Sequence, residues 1–198
     1  MKYAVLDMKK YSYILILCGF IGFSQTKNEK EFRINESAFP TEARGHFNII
    51  LDSINYIKYY KETDGEKHSF EIKFKYKKQH YSVEFDTLGN LEDIEILIKK
   101  KHLPKEVWHN IQDYFSKNYK TYSLVKLQKQ YRNTSQKTDR QFIHQILNKP
   151  INKHTHFEII SEIKTKHLHE LREFTFDRNG TFETSRKVTS SSYEHALY

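Results

Sequence analysis

From Phe70 to Phe85 apolar and polar side chains alternate with a period of two. Phe70, Ile72, Phe74 and Tyr76 fall on one side, and Glu71, Lys73, Lys75 and Lys77 on the other. Tyr81, Val83 and Phe85 resume the apolar side after a short turn at residues 77–79. That period belongs to a strand, because successive Cβ atoms point to opposite faces of a sheet. The pattern predicts an antiparallel hairpin with one face buried and the other wet. Fourteen Tyr and fourteen Phe against six Gly and three Pro favour strands over the whole chain, since aromatic side chains suit a pleated surface.

The hairpin runs into a motif that the chain writes twice. Residues 85–92 read FDTLGNLE and residues 176–183 read FDRNGTFE. In each, Asp can bond its own backbone and Gly can take a positive φ, so each marks a turn between two strands. A second pair precedes them: Phe39-Pro40-Thr41-Glu42-Ala43 and Leu103-Pro104-Lys105-Glu106-Val107. Proline and glutamate suit the first turn of a helix. Ala43, Phe47, Ile50, Leu51 and Ile54 then follow at helical spacing, as do Val107, Trp108, Ile111 and Phe115. Each set predicts a helix of three or four turns with one apolar stripe.

Strands are expected around Ile94 to Ile98, Leu124 to Tyr131, Phe157 to Ile163, Leu168 to Phe176 and Phe182 to Val188. The extra length of the second copy falls between Tyr131 and Lys153. There Thr138 and Gln141 have capping-box spacing, Phe142, Ile143, Ile146 and Leu147 follow, and Asn148 with Pro150 ends the run. This predicts an α+β fold of two tandem helix-plus-antiparallel-sheet repeats with the helices on one face. The first repeat spans residues 35–101 and the second 102–188 with a helical insertion at 132–152. Residues 25–34 read as a linker and 189–198 as a tail.

The first 24 residues have the composition of an export leader. Lys9 and Lys10 precede the apolar run YILILCGFIGF, and Gly22 and Ser24 are small residues before a cut between Ser24 and Gln25. The run is shorter than the roughly 20 residues that span a bilayer, so no transmembrane segment is expected in the mature protein. Met8 could equally be the start, because the leader is complete from there. Leu17 before Cys18 argues against lipidation. Cys18 is the one cysteine, so the mature chain has neither disulfide nor thiol chemistry. Loss of Lys2, Lys9, Lys10 and Asp7 lowers the formal charge from +8 to +6.

The helix-then-strands order, with LPKEVWHNIQDYFSKNYKTYSLVKLQKQY and YSVEFDTLGNLEDIEI, resembles the PepSY-like, β-lactamase-inhibitor-protein-like (BLIP-like) family of exported Bacteroidota proteins. The resemblance covers roughly residues 35–188 and implies helices packed on antiparallel sheet, a periplasmic or secreted location, and a role in binding or restraining other proteins. It brings no catalytic residue.

Candidate chemistry is sparse. His154 with His156 and His167 with His169 alternate as strand ligands could, but a hairpin separates them and no acidic or thiol partner completes a zinc set. Asp86 and Asp177 lack the calcium-loop pattern. Lys75 to Lys78 and Lys99 to His102 read as solvated strand ends rather than a nucleic-acid surface. Trp108 reads as core. No nucleophile elbow, phosphate loop, HExxH or Cys/His pair occurs. No cofactor, metal or catalytic residue is therefore assigned.

These observations lead us to expect a non-enzymatic, monomeric binding module for a protein or peptide, not for nucleic acid. The alternatives are an envelope-associated protein for anionic glycan or lipid headgroups, and an enzyme whose site the sequence hides; a deep pocket with several titratable groups would favour the latter. With helices on the apolar side of the sheet, Glu71, Lys73, Lys75 and Glu84 are expected on an open polar face, the candidate binding residues. Intact-mass measurement of the exported protein checks the leader: the expected first residue is Gln25, and a lipid retained on Cys18 would overturn it.

Overall fold

The structure is a computed structural model that describes residues 26–48, 50, 53–150, 155–165 and 169–189. The leader with its cut at Ser24 and Gln25, Leu51, His154 and His167 lie outside these residues. The alternating stretches form strands as expected: β4 (Lys67–Tyr76), β5 (Gln79–Asp86), β6 (Leu91–Leu97), β7 (Tyr122–Tyr131), β8 (Thr155–Lys164), β9 (His169–Phe176) and β10 (Phe182–Val188). Three further strands were not foreseen: β1 (Thr26–Lys27), β2 (Glu29–Ile34) and β3 (Asn55–Asp64).

All ten lie in one sheet, in the order β1-β10-β9-β8-β7-β6-β5-β4-β3-β2. Asn28 alone separates β1 from β2, so a single stretch of chain occupies both edges. On one side β1 pairs in parallel with β10, Thr26 opposite Lys187 and Lys27 opposite Val188. On the other β2 pairs antiparallel with β3, from Glu29 opposite Asp64 to Ile34 opposite Tyr59. The sheet thus curls almost into a closed barrel.

This overturns the expected fold class. The chain does not form two tandem helix-plus-sheet repeats: β6 pairs with β7, Ile94 opposite Tyr131 and Leu97 opposite Gln128, so the ladder runs straight through the expected boundary. Two separate small sheets would have exposed four rows of unpaired N–H and C=O groups. Joining them and closing the ends removes those edges. The expected linker at 25–34 supplies the closing strands, which is why it cannot be a linker.

Helices are a minority and cover the outside of the barrel. The first, α1 (Thr41–Gly45), is much shorter than expected. Phe47 and Ile50 remain buried at 0% and 8% exposure, but in irregular turns beyond Gly45, a poor helix residue. The second helix, α2 (Lys105–Asn118), forms as expected and buries Val107, Ile111 and Phe115. The insertion helix, α3 (Asp139–Asn148), starts at the predicted capping box of Thr138 and Gln141. Its Phe142, Ile143, Ile146 and Leu147 are all buried. Arg140 of α3 donates to the Gly45 carbonyl at 3.1 Å, and a His144 ring nitrogen lies 3.2 Å from the His46 carbonyl. The core lies between these helices and the convex apolar face, where Ile72, Val83, Phe85, Ile94, Phe174 and Phe176 are fully buried.

The two FDxxG turns are locally equivalent. Gly89 and Gly180 have φ of 89° and 81°. Asp86 accepts from the amides of Leu88 and Asn90 at 2.8 and 2.9 Å, and Asp177 from those of Asn179 and Thr181 at 2.8 Å each. Each glycine rests against the start of a helix. A Cβ on Gly180 would lie 2.5 Å from the Val107 carbonyl oxygen, whereas one on Gly89 would lie 3.1 Å from the Ala43 amide. Both substitutions carry the left-handed backbone cost, and Gly180 adds a backbone clash. We expect Gly89→Ala to cost about 1 kcal/mol and Gly180→Ala about 2 kcal/mol or more in urea unfolding. Equal stability of the two variants would contradict the docking of the second turn on α2.

Candidate functional site

Alternation along a curled sheet sends every second side chain into its concave interior. The face expected to be open is therefore inside. Glu71 is 7% exposed, Lys73 and Glu84 line interior cavities, and Lys75 is half-buried near the rim. The four candidate residues do share a face, but the closure by β1 and β2 that a hairpin cannot reveal has turned that face inward.

Residues from almost every strand join them. Lys27 lies 2.7 Å from both Glu29 and Glu173. Arg186 pairs with Glu173 at 2.6 Å and with Asp64 at 3.1 Å, bridging the two sides of the closure. Lys73 holds Glu31 at 2.7 Å and Glu71 at 2.9 Å, and Ser82 donates to the other Glu71 oxygen. Lys67 pairs with Glu84 at 3.2 Å and Glu92 at 2.6 Å. Gln130 donates through Nε2 to Asp93 at 2.9 Å and to Glu158 at 2.8 Å. Gln128 donates to Glu95.

Burial sets the protonation of this interior. It pushes Glu62, Asp93 and Glu158 well above the usual carboxylate range, helped by neighbouring carboxylates. Glu84 is raised to about 7 by burial, against the opposing Lys67 and Ser69 and with Glu92 and Glu29 adding to the rise. Burial would also raise Glu173, but Lys27 and Arg186 hold it at about 2. Burial would lower Lys27 and Lys73, yet the carboxylates around each raise them above the ordinary lysine value.

Two spaces open within the curl. An acidic chamber of about 310 Å³ lies toward Lys67, Asp93, Arg132 and Arg186. A wider cleft of about 540 Å³ lies toward the other end, lined by Tyr56, Lys58, Tyr60, His80, Leu97 and Lys126. A small void of about 40 Å³ separates them, walled by the Lys27 and Lys73 ion pairs. At the cleft, Tyr56 is 76% exposed and Leu97 43%. Tyr56 has φ of 58° and sits where the β3–β4 register slips between Asn55 and Lys58, a bulge that re-aims its ring. Lys75 lies 5.8 Å from the centre of that ring, and Lys73 4.9 Å from that of Tyr60.

The remaining sequence candidates stay apart. His156 lies 3.7 Å from Glu183, while His169, opposite Lys164 at the far end of β8, bonds Glu162. Asp86 and Asp177 do turn chemistry. Trp108 packs against the core with Lys100 4.3 Å above its ring. The closest carboxylate group among the described residues is Glu29, Glu31 and Glu62, with ligand atoms within 4.8 Å of one another. Sequence reasoning missed most of the interior, although Glu29 with Glu31 and Gln128 with Gln130 carry the period-two signal. Among the described residues no helix is long and apolar enough to cross a membrane.

No protein-family model matches the chain, and no curated protein matches it. Solved structures do. A DUF2874 family protein from Bacteroides uniformis ATCC 8492 aligns with a TM-score of 0.50 at 9% identity, over 75% of this chain and 89% of its own. A second, from Bacteroides ovatus ATCC 8483, also gives 0.50 at 9%, over 75% and 86%. A BLIP-like protein from Bacteroides fragilis NCTC 9343 gives 0.49 at 14%, over 78% and 92%. What is shared is the fold. The third carries the BLIP-like description that the sequence resemblance named, and at such identities none of them says anything about activity.

The protonation pattern predicts a stability optimum in mild acid. Glu84 binds a proton more tightly folded than unfolded, so stability falls as pH rises from its ordinary value near 4.5 through about 7. Glu173 acts oppositely: its contribution is present above the unfolded value and is lost as pH falls toward about 2. We expect Tm to be higher at pH 5 than at pH 8 by on the order of 3 °C. Glu84→Gln should flatten that slope in calorimetric scans. An unchanged slope would contradict the burial of Glu84.

Proposed function

We propose that this protein is an exported, non-enzymatic binding module that takes an acidic, aromatic or apolar segment of a protein partner into the wide cleft. One observation carries this: Tyr56 and Leu97 are exposed at a concave surface whose lining also holds the aromatic rings of Tyr60 and Phe74 and three lysines, Lys58, Lys73 and Lys126, against the single carboxylate of Glu31. Exposed aromatic and aliphatic groups in a concavity mark binding sites, and Tyr is favoured there because its large ring is ordered at little entropic cost. The strained backbone at Tyr56 is maintained by the bulge rather than by local preference, which is typical of functional positions. The lysines favour an acidic partner through complementarity and steering. Of the sequence-derived set, Lys73 lines this cleft and is held by Glu71, Lys75 lies beside the Tyr56 ring, and Glu84 belongs to the acidic chamber.

The deep pocket with titratable groups that an enzyme would need is the acidic chamber. Its lining hydroxyls are those of Ser82, Thr175 and Thr184, of which Ser82 donates to Glu71, and its many carboxyl groups suit holding a cation.

A photo-crosslinking residue at Leu97 should capture one partner from envelope extracts through an acidic segment. The same residue at Leu88, 77% exposed on the opposite turn, should not. Lys58→Glu with Lys126→Glu should weaken the captured complex at least tenfold and flatten its salt dependence. Equal capture at Leu88, or unchanged affinity in the double variant, would remove the cleft from consideration.

A further inference from the structure

We propose that the acidic chamber binds an organic cation through alkylammonium or guanidinium groups, supplied by a free polyamine or by a basic side chain reaching in. The chamber of about 310 Å³ is lined by seven carboxylates and four cationic side chains, an excess of three negative charges when all are ionised. Three of the cations are already engaged. Lys27 is held by Glu29 and Glu173, Lys67 by Glu84 and Glu92, and Arg186 by Glu173 and Asp64. Glu62, Asp93 and Glu158 are 3%, 8% and 8% exposed and form no ion pair among the described residues.

A second observation points to what is missing. Gln130 is 3% exposed, and both of its carboxylate partners are bonded through Nε2. Its Oε1, in the chamber wall, has no donor among the described residues. Buried acceptors without donors are uncommon in native proteins and call for a specific reason. Gln130 Oε1 lacks a donor and the carboxyl groups of the chamber outnumber its cations, and an ammonium or guanidinium group answers both.

A bare divalent ion suits the site less well. Where three carboxylates converge, at Glu29, Glu31 and Glu62, the ammonium of Lys27 already touches Glu29 and that of Lys73 touches Glu31, each at 2.7 Å. Gln130, Asp93 and Glu158 instead lie together where β6, β7 and β8 run side by side, with Gln130 Nε2 bonding both carboxyl groups, a compact set of oxygens that one ammonium or guanidinium group can meet.

Binding should release protons. Asp93 is kept protonated by burial with Glu84 and Glu95 beside it, against Arg132 and Lys67. Glu158 is kept so by burial with Glu173 and Glu95, against Lys27. A cation placed between them favours the ionised forms. A site on the outer surface would release none.

The test is titration calorimetry on the full mature chain at pH 7.5 and fixed ionic strength, with spermidine, putrescine, a short Lys-Arg peptide and calcium chloride, in buffers of different ionisation enthalpy. We expect one spermidine or one peptide to bind per chain with proton release. Asp93→Asn with Glu158→Gln keeps the shape and should weaken binding at least tenfold. Glu84→Gln, at the chamber mouth and the safer variant for folding, should weaken it severalfold. Binding of the amines but not the peptide assigns the cation to a free polyamine, and the reverse assigns it to a partner's side chain. The proposal is overturned by binding of calcium alone, by no binding above a sodium control, or by binding that is unchanged in Glu84→Gln and releases no protons.

Discussion

One stretch of backbone, Thr26 to Ile34, pairs with both ends of the sheet, and the rest of the molecule is arranged around that closure. It contributes a parallel pairing of two residues on one side and an antiparallel pairing of six on the other. The parallel side is short, and it is reinforced where the backbone contributes least. Lys27 reaches Glu173, Arg186 joins Glu173 to Asp64, and the Asn28 amide donates to Asp64 at 2.9 Å. The closure is therefore as much an ion-pair seam as a ladder.

Curling the sheet gives its two faces opposite tasks. The convex face is apolar and is covered by three helices, whose burial of Ala43, Ile111, Phe115 and Phe142 supplies much of the hydrophobic stabilisation. The concave face carries charge into a space where water is scarce. Burying ions costs free energy unless each finds a partner, and paired buried ions contribute more to a unique arrangement than to net stability. That explains why Lys27, Lys67, Lys73 and Arg186 each sit between two carboxylates. It also explains why the carboxylates left over shift toward their neutral forms.

The same curl creates the two spaces. Lys and Tyr at one end line a basic, partly apolar cleft, while Glu, Asp and Gln at the other line a smaller, acidic chamber. The ion pairs of Lys27 and Lys73 lie between them, so charge introduced into the chamber acts on residues that also wall the cleft. The cleft is open enough to admit a segment of another chain. The chamber is of a size for a small molecule or a single side chain.

Local chemistry was legible in the sequence. The hairpin of β4 and β5, the Asp-Gly turns at 86–89 and 177–180, the stripe of α2 and the capping box of α3 depend on neighbours within a few residues, and each formed where the pattern placed it. Period two also assigned Glu71, Lys73, Lys75 and Glu84 to a common face. What the sequence could not determine was whether that face met water or itself, because the answer depends on β6 finding β7 and on residues 26–34 finding both β3 and β10. Those pairings use backbone groups that every residue possesses, so no side-chain pattern announces them. The tertiary structure alone decided that the polar rows close on one another, and with that it turned an expected open surface into a cleft and a chamber.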